Sequence, residues 1–174
     1  MNGMVENPQD SIKVVLKLGD DVSTDAIYPG RFLATVLPSE TPQYAFADYA
    51  EFNGRLRKNE IRPRSVVVAG SNFGCGSSRE QAASALKGYE LTIVARSFGR
   101  IFLQNAVNLG VQILVCPEIE ASEGDEIEIT EDQIHNKTTG RSFGLRLLPA
   151  ARRAVLKAGG LIPYTRKRLL EKPA

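Results

Sequence analysis

The chain has 174 residues, 43% of them hydrophobic, a formal charge of +2 and a single histidine, His135. That length buries a real core in one domain, 1–174, and so small a charge gives no ground for a nucleic-acid partner or an anionic membrane surface. Cys75 and Cys116 are too few for a disulfide framework, which points to the cytoplasm, and too few for a four-cysteine zinc site or iron–sulfur cluster. No apolar run approaches the roughly 20 residues of a membrane span, and Met1 to Asp10 lacks a signal-peptide core.

Residues 1–10 are polar and read as a loose tail. Ile12 to Leu18 alternates lysine with apolar residues and predicts a half-exposed strand. Gly19 to Gly30 is a loop by its Asp, Ser, Pro and Gly content. Its carboxylates Asp20, Asp21 and Asp25 fit Asx turns and a short helix cap better than a divalent-cation site, because no calcium-loop pattern follows. Arg31 to Leu37 leads into a lid-like connector over Pro38 to Pro42, and Thr41 to Phe52 predicts short helical pieces. Asn53 to Arg64 is polar and basic and reads as a surface loop with a solvated face.

The β-branched run Val66 to Val68, within Ser65 to Ala69, predicts a strand buried on both faces. Ser78 to Lys87 then predicts a helix, Leu91 to Ala95 a strand, Ser97 to Leu109 an amphipathic helix, and Val111 to Val115 a third buried strand. Ser97 fits the helix N-cap and Gly110 its C′ position. This order implies a parallel βαβ core with helical crossovers. From Pro117 the chain turns acidic, with a strand at Glu126 to Thr130, a hairpin-like turn at Asn136 to Gly140 and a strand at Ser142 to Leu148. A short helix follows Pro149, and residues 165–174 read as a basic, loose tail.

Between the Ser65–Ala69 strand and the next helix lies Gly70-Ser71-Asn72-Phe73-Gly74-Cys75-Gly76-Ser77-Ser78-Arg79-Glu80. Its glycines permit positive φ and close approach of a ligand to backbone N–H groups. The Walker pattern fails for want of a lysine, and the dinucleotide fingerprint fails on spacing. A serine or cysteine nucleophile lacks a base, since His135 sits in a distant polar turn. Ser77-x-x-Glu80 and Ser78-x-x-Gln81 are both capping boxes, so one serine is expected to cap the helix. The second register leaves Ser77 free at the mouth of the loop, where fixed positive charge could stabilise its alkoxide. Arg79 supplies a fork suited to a carboxylate. These residues together describe a site for a small carboxylate with serine acid–base chemistry, and stop short of naming a reaction.

The Gly70–Glu80 run resembles the signature of the 3-isopropylmalate dehydratase small subunits of the aconitase superfamily. The resemblance continues through Asp20-Asp21-Val22-Ser23-Thr24-Asp25-Ala26-Ile27-Tyr28-Pro29-Gly30-Arg31-Phe32-Leu33 and through Ser97-Phe98-Gly99-Arg100-Ile101-Phe102-Leu103-Gln104-Asn105, covering roughly Ile12 to Leu148. It implies an α/β fold, the swivelling β/β/α domain equivalent to the C-terminal aconitase domain, made as a separate chain. It further implies a hydro-lyase active only with a large subunit, in a hetero-oligomer. That partner would carry a [4Fe–4S] cluster that binds the substrate hydroxyl and carboxylate, with no cofactor on this chain. By the resemblance Ser77 is the base for the carbon-bound proton, and Ser78 and Arg79 bind substrate carboxylate. Asp25, Asn72, Gly76 and Glu80 support that geometry.

Two departures stand out. Gln81 replaces a histidine common after Arg-Glu in relatives. In the loop Phe32-Leu33-Ala34-Thr35, the third residue helps choose the substrate: an arginine there suits a further carboxylate, whereas Ala34, with Phe32 beside it, suits an alkyl group. The resemblance therefore implies isomerisation of 2-isopropylmalate to 3-isopropylmalate in leucine biosynthesis. Homoaconitate, dimethylmalate or citramalate dehydration, and a non-catalytic carboxylate-binding or assembly module, are the alternatives.

Overall fold

The structure, a computed structural model, describes residues 12–171. Seven strands form one curled sheet in the order β4-β3-β2-β1-β5-β6-β7. Strands β1 (Ile12–Lys17), β2 (Val66–Ala69), β3 (Thr92–Ala95) and β4 (Gln112–Val115) run parallel, as the central βαβ pattern predicts. Strands β5 (Glu126–Ile129), β6 (Gln133–Asn136) and β7 (Arg141–Gly144) continue antiparallel, with β1 joined to β5 at Lys13–Glu126. Just past β7, the Arg146 amide donates to the Val115 carbonyl at 2.8 Å, bringing the two ends of the sheet together.

Strand periodicity divides the apolar residues between two cores. Val67, Ala69, Ile93 and Ala95 face helices and pack with Phe46, Phe73, Leu86 and Phe102. Val14, Val66, Val68 and Val94 point the other way, into the curl, against Cys116, Ile127, Ile134 and Phe143. All four residues of β2 are therefore buried, which explains its unbroken β-branched run.

The helices are α1 (Thr24–Ile27), α2 (Ala50–Arg57), α3 (Glu80–Gly88), α4 (Arg100–Leu109), α5 (Ala150–Lys157) and α6 (Leu161–Leu170). Three of these, α2, α4 and α6, revise the sequence reading. The start of the expected loop at Asn53 to Arg64 is helical: Phe52 and Leu56, four apart, bury together. Asn53 joins them by donating to the Gln43 and Ala45 carbonyls at 3.0 and 2.8 Å, so a polar residue inside the fold gave the stretch its surface-like composition. Ser97 does not cap α4, which begins after Gly99; its Oγ accepts the Asn72 amide at 2.9 Å instead. Gly110 ends α4 with φ of 71°, as expected.

The expected loose end at 165–174 is helical as far as Leu170, because Tyr164 packs α6 against the helical core. The tail at 1–10 lies outside the described residues. The turn at Asn136 to Gly140 closes the β6–β7 hairpin, and Asn136 Oδ1 accepts the Thr138 and Thr139 amides within it. Strand β6 itself escaped the sequence reading, because only Ile134 and Asn136 of its four residues are buried.

Candidate functional site

The Gly70–Arg79 segment leaves the C-terminal end of β2 and is tied down on two sides. The Gly74 amide donates to the Val22 carbonyl at 2.7 Å, and the Thr24 amide to the Cys75 carbonyl at 2.8 Å. On the other side the Phe73 amide donates to Ser97 O at 3.0 Å and the Gly99 amide to Phe73 O at 2.8 Å. Three stretches distant in sequence thus become one surface. Asn72, Gly74 and Gly76 all have positive φ, at 61°, 78° and 93°. At Gly74 a Cβ would also drive into the Phe102 ring, so that glycine is required by both its torsion and its neighbour.

The carboxylates of the preceding loop are consumed in holding this surface. Asp20 accepts the Ser71 amide at 2.6 Å, and Asp21 accepts from Asn72 Nδ2 at 2.7 Å. Ser23 caps α1 by accepting the Ala26 amide at 3.1 Å. Asp25 accepts from Arg79 Nη1 and from the Gly30 amide, the latter at 2.8 Å. The Arg79 side chain and then the Gly30 N–H hold the Asp25 carboxyl below the ordinary carboxylate range. The expectation that these carboxylates make Asx turns and a helix cap is therefore corrected: Ser23 is the cap, while Asp20, Asp21 and Asp25 reach across to Ser71, Asn72 and Arg79.

The capping boxes are a correction. Helix α3 begins at Glu80, its cap position is Arg79 in extended conformation, and no side chain caps it. The Ser77 carbonyl is already spent on the Arg79 amide at 2.9 Å and on Thr24 Oγ1 at 3.0 Å. Arg79 is meanwhile held by Asp25 and by the Tyr28 carbonyl at 3.3 Å. The chain enters the helix only after these bonds are made, so both Ser77 and Ser78 stay exposed. Glu80 is likewise exposed at the first helical position, and Gly76 is exposed beside Ser77.

The 30–37 segment arrives next to Arg79. A Cβ on Gly30 would stand 3.3 Å from Arg79 Nη2, and Gln81 Nε2 donates to the Leu33 carbonyl at 3.5 Å. Phe32 stacks on Tyr44 with centroids 4.1 Å apart, Arg31 covers its ring at 4.6 Å, and the buried Tyr28 hydroxyl donates to Phe32 O at 3.1 Å. Ala34 follows, exposed. Ser77, Ser78, Arg79 and Asp25 are thus one cluster, with Phe32 and Ala34 on the segment that begins beside Arg79. Asn72, also exposed, sits earlier in the loop, bonded to Asp21 and Ser97.

His135 is in the β6–β7 hairpin, bonded to Ser142 Oγ at 2.9 Å, three strands away from β2 in the sheet. Cys75 is half buried in the glycine loop, whereas Cys116 is buried in the second core, where burial pushes its thiol up to about 11. Among the described residues no three His, Cys, Asp or Glu side chains converge as a metal site. One thiol in the glycine loop and another in the second core do not suit a cubane cluster. The sequence reading missed Thr24, whose hydroxyl meets Ser77; in a Ser-Thr-Asp run a threonine signals only a helix start.

Residues 39–119 match the aconitase C-terminal domain. Over 161 residues the chain is 45% identical to the 3-isopropylmalate dehydratase small subunit of Methanosarcina mazei, covering 90% of this chain and 96% of that one. The chain belongs to the 3-isopropylmalate dehydratase small-subunit family.

Within that family, the isopropylmalate/citramalate isomerase small subunit of Methanocaldococcus jannaschii is 39% identical over 166 residues, covering 90% of this chain and 94% of that one. The crystal structure of a 3-isopropylmalate dehydratase from the same organism superposes with a TM-score of 0.82 at 37% identity, across 91% of this chain and 94% of the other. The aconitase-type α/β fold and the family resemblance seen in the three motifs are thus both established.

Proposed function

We propose that this chain is the small subunit of a hydro-lyase that isomerises 2-isopropylmalate to 3-isopropylmalate by dehydration and rehydration, in the leucine biosynthesis of the cytoplasm. The observation that carries the reading is the exposed Ser77 hydroxyl, with Arg79 fixed beside it, in a chain 45% identical to a protein of that name.

Dehydration removes a proton from one carbon and hydroxide from its neighbour; rehydration returns them in exchanged positions. Ser77 Oγ takes and returns the carbon-bound proton. Backbone N–H groups of the loop and the Arg79 charge favour its ionised form. Arg79 Nη1 is committed to Asp25 and Tyr28, which leaves the rest of the guanidinium for a substrate carboxylate, and Ser78 supplies a further hydroxyl. Asp25 positions Arg79, Asn72 and Gly76 give the loop its left-handed turns, and Glu80 begins the helix behind it. Phe32 and Ala34 flank the alkyl group. Ala34 offers no guanidinium for a third carboxylate, in keeping with the alkylmalate names of the relatives.

A [4Fe–4S] cluster on the large subunit would supply the Lewis acid that receives the substrate hydroxyl. The cysteines of this chain fit no such group, so it works in a hetero-oligomer with that partner. No helix among the described residues is long and apolar enough to cross a membrane. The test is a Ser77→Ala subunit reconstituted with the large subunit. It should assemble normally and lose about 10²- to 10⁴-fold in turnover, the usual scale for removing a general base; full activity would overturn the reading.

A further inference from the structure

Thr24 is a polar residue sealed inside the fold, 2% exposed. Its backbone is fixed on both sides, the amide on Cys75 O at 2.8 Å and the carbonyl under the Tyr28 amide at 2.9 Å. What remains free is one hydroxyl torsion. Oγ1 lies 3.0 Å from the Ser77 carbonyl, to which it donates, and 3.5 Å from Ser77 Oγ.

A threonine hydroxyl has a single proton and cannot serve both oxygens at once. With Ser77 neutral, the shorter bond to the carbonyl wins. An ionised acceptor makes a bond roughly twice as strong as a neutral one, enough to draw the proton across. The burial of Thr24 keeps water from taking its place on that side of Ser77. Of the other side chains nearby, Arg79 is tied to Asp25 and the Cys75 thiol donates to Asp21 O at 3.4 Å, while Thr24 Oγ1 lies within reach of Ser77 Oγ.

We propose that Thr24 is a positioning residue for Ser77, holding its carbonyl in the resting site and rotating its hydroxyl proton onto Ser77 Oγ when that oxygen is ionised. No covalent bond forms or breaks at Thr24 in this step. The proposal rests on the reading of Ser77 as the proton carrier and extends it to a residue outside the glycine loop.

The test uses the complete two-subunit enzyme with Thr24→Val, Thr24→Ser, Ser77→Ala and the Thr24→Val/Ser77→Ala pair. Thr24→Val should lower kcat by about 10- to 100-fold, short of the loss of a full oxyanion donor, and leave KM within about threefold. Substrate deuterated at the carbon that loses its proton should show a larger isotope effect with this variant than with wild type. Thr24→Ser should recover kcat to within about threefold, and the double variant should be no slower than Ser77→Ala alone. Where the valine subunit fails to join its partner, Thr24→Ala gives the same readout with a smaller side chain. Unchanged kcat in both Thr24→Val and Thr24→Ala, no rescue by serine, or additive losses in the double variant would overturn the role of Thr24. An active Ser77→Ala enzyme would instead overturn the assignment of Ser77 beneath it.

Discussion

Arg79 Nη1 donates to the Asp25 carboxylate across 54 positions of sequence, a side-chain contact between the loop after β1 and the loop after β2. Arg79 is mostly buried, with 20% of its side chain exposed, while Asp25 is 60% exposed, so the carboxylate serves to aim the guanidinium more than to stabilise the fold. Asp25→Asn keeps the shape and removes the charge. It should raise KM for isopropylmalate by about tenfold, with a smaller fall in kcat, in steady-state kinetics of the reconstituted enzyme. Arg79→Lys should cost more, about 100-fold in kcat/KM, because a point charge cannot serve Asp25, Tyr28 and substrate together.

The same pair carries a pH signature. The folded state holds the Asp25 carboxyl below its ordinary value of 3.8, so it binds that proton more weakly than the unfolded chain does. The contribution is complete above the ordinary value and disappears as pH falls through the lowered one. Asp125 acts in the same direction, its carboxyl lowered first by the Ser122 N–H and then by the Asn136 side chain. Denaturant midpoints measured between about pH 7 and about pH 2 should fall on the acid side, and Asp25→Asn should make that fall shallower.

Gly74 combines a φ of 78° with a Phe102 ring where a Cβ would stand. Gly74→Ala must move either the ring or the loop, and Phe102 is itself packed against Phe73 and Phe98. A loss of about 2–4 kcal/mol in chemical denaturation is expected, the scale of overpacking plus a strained torsion. Gly124→Ala is the useful control: its φ is 92° but nothing lies near its missing Cβ, so only the torsional part should appear.

The two cysteines should separate cleanly toward an alkylating reagent. Cys116 is fully buried, its thiol pushed up to about 11 by burial, and its Sγ lies 3.5 Å from the Gly144 carbonyl. Cys75 is half buried in the glycine loop. At about pH 8, peptide mass spectrometry should find the native chain labelled at Cys75 and unlabelled at Cys116, with both labelled after denaturation.

Ala34 offers a test of substrate choice. Ala34→Arg brings a cation to the segment that begins beside Arg79 and should lower kcat/KM for isopropylmalate by about tenfold or more, while a substrate with a third carboxylate gains relative to it. Competition between the two substrates in one assay measures that ratio directly.

The parts of this fold that were plain in the sequence are those governed by short-range pattern. The β-branched run at β2, the 3.6-residue spacing of α4 and its closing Gly110 all reflect local backbone preference. Long-range pairing was harder to see. Asn53 looked like surface because its partners, the Gln43 and Ala45 carbonyls, belong to a different turn, and α6 looked like a tail because Tyr164 finds its packing in the helical core. At the site, the structure gathers Ser77, Ser78, Arg79 and Asp25 into one cluster, but the local bonding differs from the one the motif suggested. The capping boxes around Ser77 and Ser78 go unused because Thr24, Asp25 and Tyr28 claim the Ser77 carbonyl and the Arg79 side chain first. Thr24 itself gave no signal: its importance comes from a chain segment 53 positions away.

The meeting of Arg146 with Val115 bears on how such a chain survives alone. An open strand margin invites pairing with any passing extended peptide. By curling until Arg146, just past β7, pairs with Val115 of β4, the sheet covers part of its own margin and blunts that hazard.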